Sequence, residues 1–215
     1  MAEELIRPID ENTAKALEES AKALGKGLDL VGGLGAYLAR ALGGVPENLV
    51  GNLIGDWLIH KRVRRWADLQ AETKRYLDSR GVQEPYEEVS PSIAIPLIEA
   101  AIDEDRLELA DLWARLLAAA MEPSRKTAVR RSLIDIVKKV EPLEAVIFEI
   151  CVKETGTDKL SETPLYELIS QKRLQYSSDE IEISIRALKQ LELLDHPQIA
   201  SLTPLGRMLA RAIVD

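Results

Sequence analysis

Glycine is concentrated in one apolar stretch of this 215-residue chain. Nine of the twelve glycines lie between residues 24 and 66, in sequence whose apolar residues recur at helical spacing. A glycine inside a helix costs about 0.5 to 1 kcal/mol relative to alanine, because its unfolded backbone has more conformational freedom to lose. This density of glycine therefore predicts either a backbone that approaches another element closely or a segment that bends or refolds. We expect the function to reside in this region.

A heptad seam runs through these glycines. Between residues 17 and 42, apolar or small residues follow alternating steps of four and three, which predicts one long helix, or two helices with a bend. Pro46 ends this segment, and Asn48 provides a cap for a second helix, so residues 28–58 are predicted to form a helical hairpin. The residues expected to contact a membrane or a partner protein are Leu28, Val31, Gly32, Gly35, Leu38, Leu42, Gly51, Gly55 and Trp57.

The spacing of Gly51 and Gly55 lets two helices touch closely, either in lipid or inside a soluble hairpin. No apolar run reaches the roughly 18 residues that are typical of a transmembrane helix. The soluble hairpin is therefore the favoured interpretation, and a conditional contact with a membrane stays open.

A basic run follows the hairpin directly, and a second basic pair lies further along the chain. Cations that follow an apolar helix are typical of segments that bind anionic lipid headgroups or nucleic acid. The alternative is that these side chains form solvated helix faces. The residues expected to contact an anionic surface are Lys61, Arg62, Arg64, Arg65, Arg130 and Arg131.

Periodic apolar residues predict several helices after the basic run. A stripe from Trp66 to Leu77 continues towards Gly81, and a clearer core helix contains Trp113. The acids of residues 103–105 precede that core helix, and Asp105-x-x-Glu108 has the spacing of a capping box. We interpret these acids as helix caps rather than as an acid/base pair. A further helix, with a basic surface, is predicted over residues 124–140.

The last third of the chain predicts helix, helix, helix, a two-stranded wing and a final helix. Ser177-x-x-Glu180 caps the third helix, residues 193–202 suit a wing around a His-Pro turn, and Thr203-Pro204 starts the last helix. This is the element order of a winged helix-turn-helix. The predicted recognition helix is acidic at its N-terminal end, where helix-turn-helix proteins reach base edges, so a structural or protein-binding role is favoured over DNA reading.

The residues give no catalytic or metal-binding pattern. His60 and His196 are far apart and lack the paired spacing of a metal site, and the single cysteine, Cys151, lies on an apolar helical face. The glycines do not complete a phosphate-binding or dinucleotide-binding motif. The sequence therefore predicts a protein that is not an enzyme and has no cofactor, metal or small-molecule substrate.

The net charge and the N-terminal sequence limit which partners and which cellular location we expect. A formal net charge of −8 argues against a protein whose whole surface binds nucleic acid. The first residues lack the pattern of a signal peptide. We expect a cytoplasmic protein, with a peripheral position at the inner membrane left open, that associates with a protein partner or with itself.

Several motifs together resemble the Abi-alpha (abortive infection alpha) family of bacterial proteins. They are the glycine-rich entry, Gly55-Asp-Trp57 leading into basic residues, the helix Leu112-Trp-Ala-x-Leu-Leu-Ala118 and the helix start Glu141-Pro-Leu-Glu-Ala145. The resemblance covers roughly residues 25–150, and the tryptophan-containing helix is its most specific part. It implies a role in defence against phage and supplies no catalytic residues.

Taken together, these features predict a mainly α-helical protein with three regions. Residues 1–81 hold the glycine-rich hairpin and a long basic helix, residues 92–140 a helical core region, and residues 141–215 a small winged helix-turn-helix domain. The predicted function is non-enzymatic anti-phage defence through membrane or protein association. The alternatives are a winged-helix regulator that binds DNA and a helical scaffold or oligomer subunit.

Overall fold

The structure, a computed structural model, describes residues 56–214 apart from residues 84, 85, 87, 88, 157–163 and 173. The side chains of residues 56–60 and 63 are likewise outside the description. The predictions for the heptad seam and for the glycine-rich hairpin up to residue 55 lie outside the described residues. Trp57 is described only as a backbone position in the first helix.

The described part of the chain is mainly helical, which confirms the predicted fold class. It contains eight α-helices and one short 3₁₀ helix, which we call η1. They are α1 (Asp56–Ser79), α2 (Pro91–Asp103), α3 (Leu107–Met121), η1 (Lys126–Ala128), α4 (Arg131–Val137), α5 (Pro142–Thr155), α6 (Leu165–Gln171), α7 (Ser178–Gln190) and α8 (Pro204–Ile213).

The long helix α1 buries one stripe of side chains. Its buried residues recur at helical spacing, as the sequence predicts. They are Trp66, Leu69, Gln70, Thr73, Tyr76 and Leu77. This face packs α1 against α2 and α3.

The helix α3 lies at the centre of the fold. It packs against α1, α2, α5 and α8, and its C-terminal half is buried on almost every side. Three consecutive alanines, at residues 118–120, are all buried, and their small side chains let the neighbouring helices approach closely. The predicted core residues of this helix are confirmed as buried: Leu109, Leu112, Trp113, Leu116, Leu117 and Ala120.

The single helix predicted over residues 124–140 is wrong in its first half. The chain instead forms η1, passes through an extended residue at Arg130 and then begins α4. Side-chain contacts hold this bend: the Glu122 carboxylate accepts hydrogen bonds from Ser124 and Arg125, and Arg125 also donates to the backbone oxygen of Val214. These contacts outweigh the local helical pattern. The predicted inward residues are nevertheless buried: Val129, Leu133, Val137 and Val140.

The C-terminal helices follow the predicted order. Ser177 and Glu180 form the predicted capping box of α7, and the Thr203 hydroxyl accepts a hydrogen bond from the Gly206 amide at the start of α8. The segment between α7 and α8 makes one antiparallel bridge within itself, Leu194–Leu202, and one to the residue before α6, Pro164–Ile199. Among the described residues these bridges do not extend into strands, and the winged helix stays a prediction.

The described helices share one hydrophobic core. Buried residues from α1 through α8 form a single continuous cluster, and α8 packs against both α3 and η1. The predicted division into residues 1–81, 92–140 and 141–215 stays a prediction.

Two helices end in the same backbone motif but with different residues. At the end of α1, Gly81 has φ = 71°, and the Val82 amide donates to the Leu77 oxygen at 2.9 Å. At the end of α7, Glu192 has φ = 58°, and the Leu193 amide donates to the Leu188 oxygen at 3.0 Å. This left-handed position favours glycine, because other residues bring Cβ close to the backbone.

We therefore expect Glu192→Gly to stabilise the fold by about 0.5 to 1 kcal/mol, because it relieves the left-handed strain of an exposed residue. Chemical denaturation measures this change. The matched control is Gly81→Ala, for which the new Cβ meets no atom within 4 Å, so the backbone alone should lower stability by about 1 kcal/mol. A loss of stability in Glu192→Gly would contradict the assignment.

Candidate functional site: the basic run of α1 and the acidic turn between α2 and α3

Three cations of the predicted basic run converge on one turn of the fold. The Lys61 ammonium lies 2.6 Å from the Asp105 carboxylate, and the Arg62 guanidinium lies 2.7 Å from the Asp103 carboxylate. Arg65 donates a hydrogen bond to the Asp105 backbone oxygen at 2.8 Å. These partners lie more than 35 residues away along the chain, so the contact depends on the packing of α1 against α2 and α3.

The acidic turn consists of residues 103–106, between the end of α2 and the start of α3. The capping box predicted at Asp105 and Glu108 is wrong. The helix α3 begins at Leu107, and the Asp105 carboxylate forms an ion pair with Lys61. Glu104 shapes the turn instead: one of its oxygens accepts hydrogen bonds from the backbone amides of Asp105 and Arg106, each at 3.1 Å.

Arg106 fixes this turn to the rest of the protein. Its guanidinium binds Glu104, with Nε–Oε1 at 2.8 Å, and reaches Glu141 before α5, with Nη1–Oε2 at 2.6 Å. Burial alone would raise the pKa of Glu104, but the hydrogen bonds from the Arg106 side chain and backbone outweigh it and leave this pKa below its usual value. Arg106 therefore ties the acidic turn to the start of α5 and favours the ionised form of Glu104.

The two ion pairs of the basic run are partly exposed to water. The side chains of Lys61 and Asp105 are 40% and 56% exposed, and those of Arg62 and Asp103 are 24% and 55% exposed. Exposed pairs of this kind contribute about 0 to 1 kcal/mol each. The fourth cation of the run, Arg64, is itself exposed. This arrangement gathers positive charge at one place while leaving it open to exchange for another anion.

A second polar cluster, which the sequence did not indicate, anchors the C-terminal half of α1. The Tyr76 hydroxyl donates to the Asp111 carboxylate and accepts from Arg115 Nε at 3.1 Å, and Arg115 also pairs with Asp111 at 2.7 Å and Glu149 at 3.4 Å. Burial, followed by the bond to Asp111, raises the pKa of Tyr76. The tyrosine therefore stays protonated and serves as a hydrogen-bonded tie between α1, α3 and α5.

An open groove of about 360 Å³ lies between these two clusters. Its walls come from α1, α2 and α3, with Leu69 and Ala101 among its apolar residues and Arg65 and Asp111 among its charged ones. Leu107, at the start of α3, also lines the groove and is 75% exposed.

The other predicted residues lie apart from this site. Arg130 and Arg131 are exposed at the start of α4, a helix that packs against α2. Cys151 is buried, and burial raises its pKa to about 12, which confirms its interpretation as a core residue. His196 is exposed, and its Nδ1 accepts a hydrogen bond from the Gln198 amide at 3.1 Å.

The described helices can also be compared with what a bilayer requires. A membrane-spanning helix needs about 20 predominantly apolar residues. Among the helices of the described residues, none combines that length with that apolarity.

The fold and the site together define a helical protein with a central buried helix and a cationic helix end held by an acidic turn. A family model described as abortive infection alpha matches residues 61–213, and the chain therefore belongs to the abortive infection alpha (Abi-alpha) family. Neither a curated protein nor a solved structure matched the chain.

The extent of the family match differs from the extent inferred from motifs. The sequence placed the resemblance over residues 25–150, whereas the match begins at Lys61 and ends at Ile213. The glycine-rich segment therefore lies outside the match, while the basic run, the acidic turn and the C-terminal helices lie within it.

The Lys61–Asp105 pair makes a direct prediction about pH. The Lys61 hydrogen bond and charge hold the pKa of Asp105 below its ordinary value of 3.8. Because a lowered pKa means that folding favours the ionised form, the pair stabilises the fold above that ordinary value and loses its contribution as the pH falls through the lowered one. We expect an NMR titration of the Asp105 carboxyl carbon to show this low pKa and Lys61→Gln to return it towards 3.8. An unchanged pKa in Lys61→Gln would exclude the pairing in solution.

Proposed function

We propose that this Abi-alpha protein acts in bacterial defence against phage by association with an anionic surface, with a negatively charged membrane as the favoured partner. The family supplies the role in abortive infection. The observation that supports association is the basic run, in which Lys61, Arg62 and Arg65 meet the acidic turn through partly exposed contacts.

The basic run gains a similar free energy from its ion pairs with the acidic turn and from contact with an anionic membrane. An exposed ion pair contributes about 0 to 1 kcal/mol, and a cation near an anionic membrane gains about 1 kcal/mol. A surface with many anions can therefore replace Asp103 and Asp105 as the partner of these cations. The acidic turn then acts as an internal competitor that keeps the protein quiet until such a surface is available.

The glycine-rich hairpin of residues 28–58 is proposed as the apolar part of the same association. It precedes the basic run directly in sequence, so cations that reach an anionic surface bring the hairpin to that surface. In this proposal the hairpin supplies apolar contact area and the basic run supplies attraction and orientation.

Protein association is the second route that the surface supports. On α7, Ile183 is 66% exposed, and the exposed acids Asp179 and Glu182 lie on the same helix. An exposed aliphatic side chain among acids suits a protein partner better than a phosphate backbone. The α7 surface is therefore a second candidate interface.

Binding of DNA is the weaker alternative. The order of α5, α6 and α7, with single bridges before α8, is compatible with a winged helix-turn-helix. Residues 141–215, however, carry thirteen acidic and eight basic side chains, which opposes contact with phosphates. A DNA-binding role would draw on exposed cations such as Arg130 and Arg131, and it predicts a salt-dependent gel shift that is weakened by changing both to Glu.

The membrane proposal is tested by flotation of the purified protein on anionic and neutral vesicles. We expect Asp103→Asn with Asp105→Asn to float at a lower fraction of anionic lipid than the wild type, because these two carboxylates no longer compete with the lipid for Lys61 and Arg62. Replacing Lys61, Arg62, Arg64 and Arg65 with Gln should abolish flotation.

A matched control separates release of the basic run from a change in net charge. Glu192→Gln with Asp195→Asn also removes two exposed carboxylates, but on the segment between α7 and α8. This control should float like the wild type. Equal gains in both double variants, or no flotation of any form on anionic vesicles, would contradict the membrane proposal.

The role in defence is tested in infected cells. We expect cells that express the wild type to reduce phage plaque formation and cells that express the Gln-substituted basic run to lose this protection at equal protein level. Full protection by the substituted protein would show that the basic run is not needed for defence.

A further inference from the structure

Between residues 66 and 73, α1 buries polar side-chain atoms that have no hydrogen-bond partner among the residues that the structure describes. They are the Trp66 indole nitrogen, both amide atoms of Gln70 and the Thr73 hydroxyl. The three side chains are 2%, 1% and 0% exposed, respectively. Buried polar groups in proteins are almost always hydrogen-bonded, so a row of exceptions on one helix requires an explanation.

These residues lie on the packing face of the helix. Residues 66, 70 and 73 follow steps of four and three, which places them on the same stripe as Leu69 and Leu77. The stripe packs α1 against the rest of the helical core. Separation of this face from the core would return the polar atoms to water, and the resulting hydration offsets part of the lost apolar burial.

The polar contacts of α1 differ along its length. In the last turn and just beyond it, Tyr76 is hydrogen-bonded to Asp111 and Arg115, and the helix ends in a hydrogen-bonded turn at Gly81. Before Tyr76, the buried face holds the polar stripe beside apolar Leu69, and the contacts with the acidic turn include the partly exposed Lys61–Asp105 pair. The polar contacts of the described residues therefore hold α1 more firmly from Tyr76 onward than before it.

We propose that residues 56–73 of α1 form a releasable arm that pivots near Tyr76 and frees the basic run when it opens. Opening separates Lys61, Arg62 and Arg65 from the acidic turn and hydrates the polar stripe in one step. The inference rests on the proposed function, because it names how the anionic-surface site is regulated. In this view Gln70 and Thr73 are retained at a cost in stability, because they keep the arm easy to open.

The test replaces the polar groups with apolar ones of similar shape. Thr73→Val keeps the shape of the side chain, and Gln70→Met keeps an unbranched chain of similar length. For the double variant, we expect a higher melting temperature and about tenfold slower hydrogen exchange of the amides of residues 61–73. In the wild type, these amides should exchange faster than those of residues 74–80, since the arm opens without global unfolding.

Thr155→Val is the matched control. Thr155 is equally buried, at 1% exposure, but its hydroxyl donates to the Cys151 backbone oxygen at 2.9 Å. The same substitution should therefore lower the melting temperature there. If the Gln70 and Thr73 replacements also lower it, their polar groups are satisfied in the folded protein and the proposal is overturned.

Vesicle flotation links the arm to the proposed function. We expect the Gln70→Met, Thr73→Val variant to need a higher fraction of anionic lipid than the wild type, because its closed state is more stable. Unchanged flotation of a more stable variant would overturn the arm as the regulator of this site. If the wild type itself does not float, the membrane function fails, and the exchange and melting measurements still decide whether the arm exists.

Discussion

Burial of the C-terminal half of α3 on nearly every side is the constraint on which the rest of the structure depends. A helix with this much apolar surface needs neighbours around it, and α1, α2, α5 and α8 take those places. The alanines at residues 118–120 bring these neighbours close, so that the long-range polar contacts become possible. The Tyr76 cluster and the acidic turn both depend on this arrangement, because each joins α1 to residues of α3 or the turn before it.

The two ends of α1 show how burial determines what an ion pair can do. Arg80 and Glu122, near the C-terminal end, are only 4% and 11% exposed, so breaking their contact would leave charges in a poorly solvated place. Lys61 and Asp105, near the other end, are already largely in water, and each charge keeps most of its hydration when the pair separates. Separating Arg80 from Glu122 is therefore costly, whereas separating Lys61 from Asp105 costs little.

The sequence predicted what depends on local periodicity and capping. The buried stripe of α1, the core of α3, the capping box at Ser177 and the start of α8 at Thr203 all follow from residues within one or two helical turns. The sequence did not predict the bend at residues 124–130, where contacts from Glu122 and Arg125 override helical spacing. It also missed the pairing of the basic run with the acidic turn, because residues separated by about 40 positions carry no mutual signal in a single chain.

The capping error at Asp105 shows why the candidate site was harder to predict than the fold. Asp105 and Glu104 are adjacent carboxylates, and either can serve a helix start or a distant cation. Arg106 binds both Glu104 and Glu141, and this holds the Glu104 side chain within the turn. The Asp105 side chain faces α1 instead. An acidic residue that is not needed for its own turn is available to Lys61. The pairing of the basic run with the acidic turn thus depends on which of two neighbouring carboxylates faces α1, and that is decided only in the assembled core.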